Sequence, residues 1–274
     1  MIVNTDKCIG CTLCTQDCIV SDIEMVNGKA HIKNEACIGC GHCIAICPAG
    51  AVSCDDEKEY SMDEVMEYNK EDFDIAPERL MNFMKFRRSV RLFKKDEVEE
   101  EKIQKILEAG KYSQTGSNMQ AVSYVVVKDK MQELRKMVLE TLNSVADVVM
   151  NKEGVPQAYI VYAKMWKKMY TDFLENPDGE DRLFFKAPLM IVVKADRVIN
   201  GALAASKMEL MIDALGLGTF FSGFLERALA DNPKIGELLQ IKEGEQFVAC
   251  MLVGYPRVKY KRTVPRKEIN VVRM

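Results

Sequence analysis

The chain has 274 residues, of which 48% are apolar and 29% charged, with a formal net charge of −3. This size suits one large domain, or one domain with a small module, and the charge gives no reason to expect nucleic acid as a partner. The chain contains no apolar run of about 18 residues or more, so no membrane span is expected; the start MIVNTDKCIG lacks a leader's basic and apolar regions, so the cytoplasm is the expected location.

Ten cysteines are present, and eight fall within the first 47 residues. Cys8, Cys11, Cys14 and Cys18 lie in CIGCTLCTQDC; Cys37, Cys40, Cys43 and Cys47 lie in CIGCGHCIAICP, which ends at Pro48. Each group is C-x2-C-x2-C-x3-C, and the second repeats the first at an offset of 29 residues. Two-residue gaps let three thiolates converge on one polynuclear centre from a tight loop, and Gly10 and Gly39 permit close backbone approach. Structural zinc and disulfides are the competing uses of such cysteines, and the absent leader argues against disulfides. Between the groups, MVNGKAHI sets Asn27-Gly28 at the turn of a hairpin.

Roughly residues 1–54 thus resemble a bacterial two-cluster ferredoxin. The resemblance implies two [4Fe–4S] clusters with crossed ligation: Cys8, Cys11, Cys14 and Cys47 hold one, and Cys37, Cys40, Cys43 and Cys18 hold the other. Ile19 stands where the ferredoxin pattern has proline after Cys18, which bears on that cluster's surroundings. His42, between two of these cysteines, is expected to pack beside a cluster and not to ligate it.

Residues 55–78 carry eleven acids and two lysines. They are expected to be solvated, with one short helix around MDEVMEY. The expected division is a small domain over 1–56, an acidic linker over 57–77 and a larger domain over 78–274. PERLMNFMKF reads as a helix with Pro77 in its first turn. KFRRSVRLF then crowds Arg87, Arg88, Ser89 and Arg91 between Phe86 and Phe93, as either a solvated helix face or an anion site. EVEEEKIQKILEAGKY is an amphipathic helix with Val98, Ile103, Ile106 and Leu107 inward. Strands are expected at AVSYVVV (121–127), APLMIVVKA (187–195) and FVACMLVGYP (247–256). Helices are expected at MQELRKMVLETLNSVADVVM (131–150) and at GALAASKMELMIDALGLG (201–218), the latter ending at Gly216 and Gly218. Over residues 159–173, Tyr159, Tyr162, Trp166, Met169, Tyr170 and Phe173 form a helical stripe, read as either a core face or a lid. Cys54 and Cys250 are expected to be buried thiols. His31 and His42 are the only histidines. The larger domain therefore has no Ser-His-Asp triad and no histidine metal site.

Four segments in order carry a second resemblance. FRRSVRLF, SQTGSNMQAVSYVVV, DALGLGTFFSGF and GYPRVKYKRTVPRK are similar to the flavin-dependent nitroreductase family across nearly all of 78–270. The whole chain thus resembles a ferredoxin–nitroreductase fusion of α+β class. A small two-cluster domain precedes a larger one with a central mixed or antiparallel sheet surrounded by helices. The resemblance implies FMN, with Arg87, Arg88 and Ser89 at its phosphate and ribityl end. Arg91 is implied beside the N1/O2 edge of the ring, where a cation favours the anionic reduced flavin. Asn118 is implied at the N3/O4 edge, with Thr115, Ser117 and Gln120 nearby. Gln120-Ala121-Val122 stands where the family has Gln-Pro-Trp, so the contacts of that turn differ from the pattern. Ser222 and Gly223 are implied near N5 and O4, and Arg262 and Lys259 would close on the phosphate from the tail.

By the same resemblance the protein is a homodimer with FMN at its interface. Electrons pass singly from two [4Fe–4S] clusters to FMN, and then to a small organic acceptor: a nitroaromatic, quinone or activated alkene. The donor is an external low-potential ferredoxin-like protein or NAD(P)H, although no G-x-G-x-x-G is present. The alternative is an electron carrier or redox sensor with no dedicated substrate, and flavin fragmentation or reductive dehalogenation are further chemistries of such folds. No catalytic residue is assigned.

Overall fold

The 29-residue offset of the cysteines recurs in the backbone. The computed structural model describes residues 1–54 and 60–274. Within the first 54 residues, helix α1 (Leu13–Asp17) and helix α2 (His42–Ala45) start 29 residues apart. Left-handed residues repeat at the same interval: Gly10 and Gly39, Thr12 and Gly41, Ser21 and Gly50. A Cβ on Gly10 would stand 2.3 Å from the Gly28 carbonyl oxygen, so only glycine lets this loop meet the hairpin turn. Strand β1 (Ile2–Val3) pairs antiparallel with β4 (Val52–Ser53), and β2 (Ile23–Val26) pairs antiparallel with β3 (Lys29–Ile32). The β2–β3 turn is Asn27-Gly28, with φ of 50° and 76°, as the mirror-image hairpin turn requires. Ile23, Ala30, Ile32, Ala51 and Val52 bury themselves with Cys8 and Cys14, so the apolar core of this half is packed around thiols.

The helix expected at MDEVMEY does not form as such. Met62–Glu64 makes a single 3-10 turn, and α3 (Lys70–Phe73) follows, its first turn capped by Asn69, which accepts from the Asp72 N–H at 2.9 Å. Met62, Val65 and Met66 are exposed. With no apolar face to bury and many like charges, the segment has little to stabilise a longer helix. The boundary expected between 56 and 57 lies outside the described residues.

The chain forms two units, Met1–Ala76 with Thr115–Met119, and Pro77–Gln114 with Gln120–Met274. In the larger unit, α4 (Pro77–Phe86) and α5 (Glu100–Lys111) precede β5 (Val122–Val127). Long helices α6 (Met131–Asn151) and α7 (Gln157–Glu175) follow, then β6 (Leu189–Ala195) and α8 (Val198–Ala214). The chain continues through β7 (Gly218–Phe221), α9 (Gly223–Leu229), α10 (Pro233–Leu238) and β8 (Gln246–Gly254). The sheet runs β5-β6-β8-β7 and is antiparallel throughout.

Strand β6 is buried on both faces, and its alternation divides the core. Leu189, Ile191 and Val193 pack with Ile103 and Ile106 of α5 and Met208 and Ile212 of α8. Met190 and Val192 face the other way, toward Leu134, Val138 and Leu142 of α6 and Trp166 of α7. Each such side chain contributes about 1.5–3 kcal/mol of burial. Val98, Ile103 and Ile106 are buried as expected, while Leu107 is half-buried.

Three expectations need correction. The helix read to Gly218 ends at Ala214: Gly216, with φ of 73°, donates to the Asp213 carbonyl at 3.1 Å, and Leu217 donates to the Ile212 carbonyl at 3.0 Å. This pair of bonds is a Schellman stop, and it releases GTFF as the edge strand β7. The stripe on α7 is split: Trp166, Met169 and Phe173 are core, Tyr170 is half-buried, and Tyr159 and Tyr162 are exposed. Cys250 is buried in β8, whereas Cys54 is only half-buried.

Candidate functional site

The cysteines line two cavities, each drawing on both motifs. One cavity is bordered by Cys8, Cys11, Cys14 and Cys47, and a second by Cys18, Cys37, Cys40 and Cys43. The backbone repeat produces this exchange, since each x3-C arm carries its last thiol past its own loop. None of the ten cysteines is paired in a disulfide. Among the described residues, no three Cys, His, Asp or Glu side chains converge closely enough to chelate one ion. Thiols spread around a cavity suit a polynuclear cluster better than tetrahedral zinc.

Backbone amides point at three of the sulfurs. Ala30 N–H donates to Cys8 Sγ at 3.5 Å, Asp22 N–H to Cys18 Sγ at 3.4 Å and Ala51 N–H to Cys47 Sγ at 3.3 Å. The Ala30 amide, with that of Gly10 and the Lys29 charge, holds the Cys8 thiol below its ordinary pKa. Burial, together with Cys37 and Cys40, pushes Cys43 up to about 11. A cavity that disfavours an isolated thiolate in this way suits one whose charge is taken up by bound iron. His42 is exposed at the edge of the cavity that holds Cys18.

In the larger unit the arginine-rich segment is pinned by isolated bridges, Ser89 to Thr219 and Phe93 to Pro256. Val90 N–H donates to the Thr219 carbonyl at 2.9 Å, Lys94 N–H to the Tyr255 carbonyl at 2.8 Å, and Arg257 N–H to the Leu92 carbonyl at 2.8 Å. Val90 and Phe93 are buried, while Arg91 is exposed. Arg87 Nη1 meets Glu209 Oε1 of α8 at 2.9 Å, and Arg88 Nε donates to the Arg87 carbonyl. The Arg91 guanidinium lies 4.8 Å from the centre of the Phe220 ring, and Phe220 meets Phe185 edge-on at 5.0 Å. Burial pushes the Glu209 carboxyl up and Asp213 up to about 6, and the charge of Arg87 opposes both shifts.

Other expected residues gather at the same strand ends. Ser222 follows β7 and takes the N-cap position of α9; its Oγ is buried with no partner among the described residues, and its N–H donates to the Cys250 carbonyl at 2.9 Å. Gly223 opens α9, and a Cβ there would meet nothing within 4 Å. Lys259 and Arg262 are exposed in the tail, which Tyr260 ties to the arginine-rich segment by donating from Oη to the Ser89 carbonyl at 3.1 Å. The structure thus brings Arg87, Arg88, Ser89 and Arg91 together on one bridged segment beside β7 and the tail. This cationic, donor-rich set, with an orphaned hydroxyl, fits a phosphate-bearing cofactor.

Thr115, Ser117 and Asn118 fall instead in the smaller unit. Ser117 and Asn118 have φ of 50° and 53°, and Gln120 has φ of 49°. Asn118 Nδ2 donates to the carbonyls of Ile38 at 3.1 Å and Gly39 at 3.0 Å, within a cysteine loop. Glu209, Phe220 and Tyr260 were not anticipated from sequence, since each acts on a residue more than a hundred positions away.

Residues 84–255 match the Nitroreductase family, and residues 1–48 match the 4Fe-4S dicluster domain. An NADPH-dependent oxidoreductase of Staphylococcus haemolyticus is 27% identical over 181 residues, covering 64% of each chain. One component of an ion-translocating oxidoreductase complex of Methanosarcina acetivorans is 42% identical over 45 residues, 16% of this chain and 17% of that one. The chain therefore spans less than two thirds of the length of these curated relatives. A solved nitroreductase with bound FMN from Desulfitobacterium hafniense is 25% identical, with a TM-score of 0.52, covering 70% of this chain and 97% of that one.

Proposed function

The chain belongs to the nitroreductase family and carries a 4Fe-4S dicluster domain ahead of it; from that premise we propose an FMN-dependent oxidoreductase fed by two [4Fe–4S] clusters. The observation that carries this reading is the sorting of eight thiols into two four-cysteine cavities within the same chain as the family domain. Cys8, Cys11, Cys14 and Cys47 would hold one cluster, and Cys18, Cys37, Cys40 and Cys43 the other. Bound FMN would supply the conversion of one-electron input into two-electron reduction of an organic acceptor, such as a nitroaromatic, quinone or activated alkene.

The chain's own residues then divide the work. Arg87, Arg88 and Ser89 would bind the phosphate, with Lys259 and Arg262 closing from a tail held by Tyr260. Glu209 spends one N–H of Arg87 and fixes its direction, leaving the remaining donors for phosphate oxygens. Phe220 orients Arg91 for the ring, and Ser222 and Gly223 offer backbone and hydroxyl groups beside it. Thr115, Ser117 and Gln120 remain candidates for the flavin loop. Asn118 has both amide hydrogens on the cysteine loop and would serve that loop.

The donor is a low-potential ferredoxin-like protein, with NAD(P)H as the direct alternative. The exposed apolar residues Leu80, Met81, Met84 and Phe86 of α4 support a homodimer. Among the described residues, no helix is long and apolar enough to cross a membrane. Anaerobically purified protein should contain about eight iron and eight acid-labile sulfide atoms and about one FMN per chain. It should also turn over an acceptor panel with reduced ferredoxin. Flavin reduction without turnover of any acceptor would instead identify an electron carrier.

A further inference from the structure

The two thiol cavities are related by the 29-residue offset, yet they differ in charge. Asp22 and Ala51 are counterparts under that offset. Each gives its backbone N–H to the sulfur of the cysteine four residues earlier, Asp22 to Cys18 at 3.4 Å and Ala51 to Cys47 at 3.3 Å. Each also lines the cavity that contains that cysteine. At this offset position one cavity is lined by Ala51 and the other by Asp22, whose side chain is a carboxylate.

That carboxylate is built into its place. Asp22 is only 2% exposed. Its Oδ1 accepts the backbone N–H groups of Glu35 at 3.1 Å and Ala36 at 3.0 Å, and the Asn34 amide also acts on the carboxylate. Lys33, whose N–H bonds the Asp22 carbonyl at 2.9 Å, is the cation acting on it. Beside the other cavity the added charge has the opposite sign, since Lys29 of β3 donates its ammonium to the Cys8 carbonyl. Lys58, which matches Lys29 by the offset, lies outside the described residues.

A cluster that accepts an electron gains one negative charge, with no bond made or broken, so a fixed anion opposes reduction and a fixed cation favours it. We infer that Asp22 separates the potentials of the two clusters, making the one at Cys18, Cys37, Cys40 and Cys43 the harder to reduce. The first electron from a low-potential one-electron donor then rests on the cluster at Cys8, Cys11, Cys14 and Cys47. This inference rests on the two-cluster reading proposed above.

The test is a dithionite titration of full-length protein with redox mediators, followed by low-temperature EPR after iron, sulfide and flavin have been counted. Wild type should show two separated one-electron steps. Asp22→Asn keeps an acceptor for Glu35 and Ala36 but removes the charge. It should raise the lower step by about tenfold in equilibrium constant, ~59 mV for a one-electron couple, and leave the upper step in place. Ala51→Asp should lower the upper step by a similar factor, and Lys29→Met should lower it as well. Coincident steps in wild type would overturn the inference, as would an Asp22→Asn variant that moves the upper step or neither. If Asp22→Asn loses iron, Ala51→Asp decides, and an unmoved upper step overturns the inference. An iron count of one cluster in wild type sinks the two-cluster reading itself, whatever the potentials.

Discussion

The cysteine loops and the arginine-rich segment are both suited to hold a charged group, but by different routes. The cysteine loops work locally: short gaps, left-handed turns and a repeat assemble eight thiols from 40 consecutive positions, Cys8 to Cys47. The arginine-rich segment works at long range. Its position depends on Thr219, Tyr255 and Arg257, and the directions of its side chains depend on Glu209 and Phe220. A local site is legible from spacing and fails all at once when a ligand is lost. A long-range site is spread over many weak contacts and should fail by degrees.

The sharpest way to break that contrast is Cys14→Ser. It should cost one whole cluster, with iron and sulfide falling by about half while flavin content stays unchanged. Equal iron in mutant and wild type would end the ligand reading. Arg87→Ala should weaken FMN binding by about 10- to 100-fold, the worth of roughly 1.5–3 kcal/mol for a bond to a charged group. Flavin titration of the apoprotein measures this, and an unchanged Kd would remove Arg87 from the phosphate. Phe220→Leu keeps an apolar side chain but loses the face under Arg91, worth about 0.5–1 kcal/mol. The flavin potential should fall while occupancy holds; a changed occupancy with an unchanged potential would make Phe220 merely structural.

The smallest effect concerns Asp213, whose carboxyl is pushed up from 3.8 to about 6 by burial. The folded state holds this proton more tightly than the unfolded chain does. The resulting stability is full below about pH 4 and is lost as pH rises through about 6. Asp213→Asn should abolish that loss, on the order of 1 kcal/mol after screening. Urea midpoints at about pH 5 and pH 7.5 would show it, and parallel midpoints in both proteins would refute it.

What the sequence conceals follows the same division between local and distant causes. The cysteine spacing, the Asn27-Gly28 turn and the long amphipathic helices are local patterns, and each was legible. Strand β7 was not, because GTFF is too short to show alternation and becomes a strand only by pairing with β8. The α7 stripe has one period, but only Trp166, Met169 and Phe173 reach the core, so period alone does not separate core from surface. The partner of Arg87 sits 122 residues away. Asp22 is a different case, since overlaying the two motifs at their offset sets it against Ala51 without any structure.

The grouping of Thr115–Met119 with the N-terminal unit bears on how this protein can be dissected. The boundary after Ala76 looks like a natural place to cut, yet a fragment ending there lacks Asn118. The Ile38 and Gly39 carbonyls would then lose their side-chain donor. Faster amide exchange in residues 37–43 is expected in such a fragment than in the intact chain. The polypeptide is a fusion by sequence, but its smaller unit is completed by a segment encoded inside the larger one, so modularity in the gene does not carry over to modularity in the fold.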